Sequence, residues 1–155
     1  MFLGITWQTV ENIVKKGCIM KREYIDISAY TGEGYQPMID FKTWRVAILR
    51  YCEELELHNI KTMQKHDETD EVFVLLAGQC TLFVGGKGDE INDLDAIAME
   101  PYQLYNVKQG VWHTHTLDKN ATVLIVENQD TTSDNSPTQA LTKHQLEELA
   151  KLYSK

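Results

Sequence analysis

The stretch that most constrains the fold runs from Gln64 to Gly78. A polar segment, Lys65-His66-Asp67-Glu68-Thr69-Asp70, leads straight into Glu71 and the apolar run Val72–Ala77, and the run stops at Gly78. So dense a cluster of Val, Phe and Leu in so short a run reads as a buried strand rather than a helix. Gly78-Gln79 is then a tight connection, and Cys80–Val84 returns as the hairpin partner. A second polar stretch inside an apolar context, Gly110-Val111-Trp112-His113-Thr114-His115, follows after further strands.

The rest of the chain repeats this punctuation. Thr43–Cys52 alternates partially and reads as a strand, and so do Leu94–Met99, Gln103–Lys108 and Ala121–Glu127. Residues 24–41 are mixed. Tyr24, Ile25 and Ile27 could begin a strand, and Thr31–Pro37 reads as a loop because two glycines and a proline interrupt it. From Leu55 to Thr62 the residues divide into two alternating sides, as on an extended segment. Gly85–Asp89 is a turn. Residues 6–17 have the spacing of a short helix, closed by Gly17. At the other end, Thr142-Lys143-His144-Gln145 has the form of a capping box, and Leu146, Leu149, Ala150 and Tyr153 follow at helical spacing.

About seven short strands separated by glycine turns predict an all-β sandwich or barrel. The expected organisation is a single domain over 1–155. The barrel spans about 43–127, preceded by a helix and loop over 1–42. A polar linker follows over 128–140, then an amphipathic helix over 141–154.

With 155 residues, one core can be buried. The formal charge of −8 argues against nucleic acid and against anionic membrane surfaces, both of which demand a basic patch. No run of about 18 apolar residues is present to form a membrane-spanning helix. Met1–Thr6 lacks the basic flank and the length of a signal peptide. Cys18, Cys52 and Cys80 are an odd, widely spaced set without a CxxC pair. Reduced thiols in a cytoplasmic protein are therefore expected.

The two polar stretches carry the candidate chemistry. If the first is extended, Gln64, His66 and Glu68 share a side, and Glu71 opens the following strand. His113 and His115 share a face in the second. A pocket holding His66, Glu71 and His113 would present two imidazoles and a carboxylate, a donor set suited to Fe, Mn, Zn or Ni. Taken singly, either stretch reads as an ordinary solvated loop or a hydrogen-bonded patch of core. Together they suggest a pocket, with Arg45, Phe73, Tyr105 and Trp112 as wall residues.

The spacing His66, four residues, Glu71, six residues, Gly78 resembles the first cupin motif, which is His-x-His, three or four residues, Glu, six residues, Gly. Gly110 and His113 match the second motif, Pro-x-Gly-x-x-His-x-x-x-Asn, whereas Lys108 and Leu117 stand in place of its Pro and Asn. The resemblance covers roughly residues 43–127 and implies a jelly-roll barrel, or double-stranded β-helix, with a site on its inner face near one mouth. It implies His66, Glu71 and His113 as metal ligands, with Gln64 in the position of the first motif histidine. An amide oxygen there is a weaker and harder donor than imidazole. Trp112-His113 with Tyr102 and Tyr105 upstream is also similar to small cupins of the ureidoglycolate lyase type, which implies a small carboxylated substrate.

The expected function is a metal-assisted lyase, isomerase or oxygenase acting on a small oxygenated acid or sugar. His115 or Glu68 is the proton-transfer residue in that reading. The alternative is a non-catalytic binding or sensing module, with Gln64 marking a lapsed metal site. A homodimer is expected, because a second copy would cover an exposed sheet edge.

Overall fold

The computed structural model describes residues 24–154. The helix expected over 6–17 and Cys18 lie outside the described residues. The strands are β1 (Gly34–Phe41), β2 (Trp44–Arg50), β3 (Thr62–Gln64), β4 (Glu71–Ala77) and β5 (Cys80–Lys87). They continue with β6 (Asp95–Ala98), β7 (Leu104–Val107), β8 (Val111–Leu117), β9 (Thr122–Asn128) and β10 (Thr138–Ala140). The chain then forms helix α1 (Lys143–Tyr153).

These strands make two five-stranded antiparallel sheets. The first has the order β1-β2-β9-β4-β7 and the second β10-β3-β8-β5-β6. Their inner faces enclose one core, built from Ala47, Leu49, Phe73, Leu75, Leu82, Val123 and Ile125 among others. Period-2 alternation selects these residues: Phe73 and Leu75 point inward on β4, as do Val123 and Ile125 on β9. Burying each such side chain contributes about 1.5–3 kcal/mol.

The outer face of the second sheet is apolar too. Met63, Phe83 and Trp112 form a separate cluster there with Leu141 and Leu149. Helix α1 covers this face and touches β6. It starts as the sequence predicts. Thr142 Oγ1 accepts from Gln145 N at 3.2 Å, and Gln145 Oε1 accepts from Thr142 N at 2.9 Å. Among the described residues no helix is long and apolar enough to cross a membrane.

Several segments differ from the sequence reading, among them Gly85–Lys87, which continues strand β5 where a turn is expected. Gly34–Pro37 belongs to strand β1 rather than to a loop, while 25–31 forms no strand. Pro37 is tolerated because β1 is an edge strand and its register shifts between Pro37 and Ile39. The segment read as alternating forms two 3-10 turns, Glu53–Leu55 and Leu57–Asn59. Within the polar tail, Thr138–Ala140 pairs with β3.

Gly78 shows why the turn after β4 demands glycine. Its φ is +71°, and a Cβ there would lie 2.4 Å from the backbone nitrogen and 2.5 Å from the Cα of Ala121. The β4–β5 turn thus sits directly on the β8–β9 turn, an approach reinforced by Gln79 N donating to Asp118 Oδ1 at 3.0 Å. Gly110 has a similar φ of +75° but open space around it. Gly78→Ala should therefore destabilise the protein by at least about 3 kcal/mol, and Gly110→Ala by about 1–2 kcal/mol from backbone strain alone. Urea denaturation of both variants checks this, and equal losses would contradict the packing argument.

Candidate functional site

The two polar stretches meet on the inner faces, as their alternation requires. His66 follows β3, Glu71 opens β4, and His113 lies on β8. All three are at least nine-tenths buried. His66 Nε2 lies 3.0 Å and His113 Nε2 2.9 Å from the same atom, Glu71 Oε2. The three side chains each offer one ligand atom, mutually within 4.8 Å.

The distal nitrogens are also held. His66 Nδ1 bonds Ser136 Oγ at 2.7 Å, and His113 Nδ1 bonds the carbonyl of Val111 at 2.9 Å. A carbonyl only accepts, so His113 Nδ1 carries a proton. Its Nε2 lone pair would then face a carboxylate oxygen unless a proton or a metal cation lies between them. The donor set therefore fits a divalent cation, with each imidazole oriented through its far nitrogen.

Electrostatics follow from this packing. Burial alone would raise the Glu71 pKa, but hydrogen bonds from His113 and His66 overcome it and hold the carboxyl down at about 2. Burial alone would lower that of His66, yet the bonded Glu71 carboxylate raises it. His115 has no such partner. Its Nδ1 is shut off from solvent and from any hydrogen bond among the described residues. Burial pushes its pKa down to about 4, so the ring is neutral at pH 7.

A cavity of about 520 Å³ opens beside the cluster, and Gln64, His66, Glu71 and His115 line it. Gln64 sits opposite His113 in the β3–β8 pairing. Tyr35, Arg45 and Glu127, on the same sheet as Glu71, line the cavity as well. The other expected residues lie elsewhere. Phe73 backs the site, its ring centroid 6.0 Å from that of His113 and 5.7 Å from that of His115. Trp112 alternates out of the barrel into the outer cluster, and its Nε1 donates to Gly88 O at 3.1 Å. The Tyr105 hydroxyl accepts from Glu100 N at 2.7 Å, outside the cavity lining. Glu68 is exposed, within 3.4 Å of Asn135 Nδ2.

Three residues complete the site without having stood out in the sequence. Ser136 comes from the polar tail, and only the fold brings it to His66. Tyr35 comes from β1 and donates its hydroxyl to Glu127. Glu127 is buried on β9, and burial, more than any other effect, raises its pKa above the usual carboxylate range. Alternation held the one available signal: Val123, Ile125 and Glu127 share a face, so a carboxylate stands at an inward position.

Asp70 ties the two stretches together. It accepts from Gln109 N at 2.8 Å, Lys108 Nζ at 2.9 Å and Asn106 Nδ2 at 3.0 Å. Chiefly through the Gln109 amide, and then Lys108, these bonds hold its pKa down at about 2. The carboxylate is partly exposed, so screening reduces its worth, and Asp70→Ala should cost about 1 kcal/mol at pH 7. Because the folded pKa is depressed, this contribution is present above about pH 4 and fades as pH falls toward 2. Denaturation of both proteins across that range checks it: the difference should shrink on acidification, and a constant difference would refute the assignment.

No family model matches the sequence, and no curated protein matches it. Solved structures do. A PAC13 variant from Streptomyces, with uridine, aligns at a TM-score of 0.52 and 8% identity, covering 78% of this chain and 97% of that one. Pac13, described as a nucleoside dehydratase, aligns at a TM-score of 0.51 and 8% identity, covering 75% and 87%. A cupin-2 domain protein from Shewanella frigidimarina aligns at 0.45 and 17% identity, covering 64% and 85%. Identities this low speak for the fold alone. With two facing antiparallel sheets and both histidine stretches on their inner faces, the chain has the cupin fold.

Proposed function

We propose that this protein is a metal-dependent enzyme, a lyase, isomerase or oxygenase, acting on a small oxygenated acid or sugar. The observation that supports this most is the convergence of two imidazole Nε2 atoms on one buried carboxylate oxygen, beside a cavity large enough for such a molecule. His66, Glu71 and His113 would hold the cation, with the Gln64 amide beside them. A bound divalent cation would supply Lewis acidity toward a carbonyl or hydroxyl oxygen.

The surrounding residues orient and enclose. Ser136 and the Val111 carbonyl fix the two imidazole rings. Phe73, fully buried, packs against the rings of His113 and His115. His115 is preferred over Glu68 as the group that meets the bound molecule, because its neutral ring lines the cavity. The free Cys52 and Cys80 suit a reducing, cytoplasmic setting. A homodimer fits the outer edge of β1, which has no neighbouring strand among the described residues and carries exposed Ile39 and Phe41. Size-exclusion chromatography with light scattering should give twice the chain mass, and a monomer at micromolar concentration would reject the dimer.

Elemental analysis of protein purified without chelator or nickel resin tests the metal. We expect about one metal per chain, and under about 0.1 in His113→Ala and in Glu71→Ala. At a hundredfold excess over Kd the cation should stabilise the wild type by about 2.7 kcal/mol. A wild type that neither retains nor takes up Fe, Mn, Zn or Ni would sink the proposal.

A further inference from the structure

The cavity contains two carboxylates and, among the described residues, no uncommitted cation. Glu71 is the first carboxylate. Glu127 is the second, 7% exposed and engaged by the Tyr35 hydroxyl. Arg45 is the one basic residue in the lining, and its guanidinium is forked on Asp40, with Nε–Oδ1 at 2.8 Å and Nη2–Oδ2 at 3.2 Å. Other bases near the two stretches are also engaged. Lys108 pairs with Asp70, Lys65 donates to Gly88 O, and Arg50 donates to Thr122 Oγ1. The remaining wall combines the apolar Leu49, Leu55 and Ile125 with the hydroxyl residues Thr132, Ser133 and Thr138 and with Thr131, whose Oγ1 donates to Asn128 O at 2.8 Å.

We propose that the cavity takes a neutral polyhydroxylated molecule of the sugar or polyol class, and that Glu127, held by Tyr35, selects it against the corresponding acid. An ionised carboxylate only accepts hydrogen bonds, so Glu127 matches hydroxyl donors. A hydroxyl both donates and accepts, so Thr132, Ser133 and Thr138 can meet ligand hydroxyls, and the apolar wall suits the C–H faces of a sugar ring. The charge sum agrees, and here the inference rests on the metal reading above. A divalent cation, two carboxylates and the Arg45–Asp40 pair total zero. A neutral ligand preserves that balance, whereas an acid brings a like charge beside Glu127 with no free cation to offset it.

The test uses the full chain at about pH 8, well above the usual carboxylate range. Saturation-transfer NMR and calorimetric titration would compare D-glucose, D-ribose and myo-inositol with D-gluconate and D-glucuronate. D-glucose should bind at least about tenfold more tightly than D-glucuronate. Glu127→Gln should narrow that ratio below about threefold. Asp40→Asn, a change at the edge strand, should free Arg45 and strengthen glucuronate binding severalfold. If Glu127→Gln does not fold, the wild-type ratio and Asp40→Asn carry the test. Equal or tighter binding of the acids, no binding of any neutral probe, or a ratio unmoved by either variant would overturn the inference. Metal content measured on the same samples separates the two readings. A metal-bound chain that prefers acids refutes only the sugar assignment, whereas a metal-free chain refutes only the metal proposal, and the ratio still decides the sugar assignment.

Discussion

The structure depends on how the loop carrying His66 is fastened to the turn before β8. Gly110 N donates to His66 O at 2.8 Å, and Asp70 gathers Gln109 N, Lys108 and Asn106 from the same turn. On its other side the loop is held by the polar tail, with Lys65 N on Pro137 O at 3.1 Å and Asp67 N on Asn135 O at 2.9 Å. These bonds bring His66 and Glu71, five positions apart, together with His113, more than forty positions further on. Each contributes only about 0.5–1.5 kcal/mol net. Together they define the geometry in which a buried carboxylate is tolerable. An unpaired Glu71 inside the barrel would cost several kcal/mol, and the two imidazoles offset that cost only from where the fastening puts them.

Strand β8 then separates two functions by parity alone. His113 and His115 point into the barrel, and Trp112 between them points out, into the cluster beneath helix α1. One strand therefore serves the cavity on one face and anchors the C-terminal helix on the other. A one-residue slip would send the histidines outward and the tryptophan inward, so both cores enforce the register of the site.

The parts of this arrangement that were legible in the sequence are local or periodic. Gly78 was readable because a dense apolar run ends there, and the capping box of α1 lies within four consecutive residues, Thr142–Gln145. The spacing of His66, Glu71 and Gly78 survives because strand geometry fixes it. Long-range partners left little trace. Ser136 meets His66 across seventy positions, and Tyr35 meets Glu127 across ninety-two. No local pattern encodes such a meeting. Pro37 misled in the opposite sense: its usual role as a breaker does not apply on an edge strand with a shifted register. The reading of Trp112 and Tyr105 as pocket wall relied on their nearness in sequence to His113. The side a residue faces, rather than its distance along the chain, decides what it lines.

The cavity is chemically two-sided, and that asymmetry follows from the topology. The second sheet supplies an amide and an imidazole through Gln64 and His115. The first supplies Glu71, Glu127, Arg45 and Tyr35, on β4, β9, β2 and β1. Glu71 and Glu127 lie on adjacent strands, next to the paired residues Val72 and Val126. Two carboxylates on neighbouring inward positions repel unless each has its own partner. Here each has one: the imidazoles reach Glu71 from the opposite sheet, and Tyr35 reaches Glu127 from the edge strand. The two partners differ in kind. The imidazole nitrogens and the Glu71 oxygen lie within 4.8 Å of one another, whereas Tyr35 gives Glu127 a single hydroxyl donor. Glu71 thus belongs to a compact three-residue donor set, and Glu127 to a separate carboxylate–phenol pair on the same sheet.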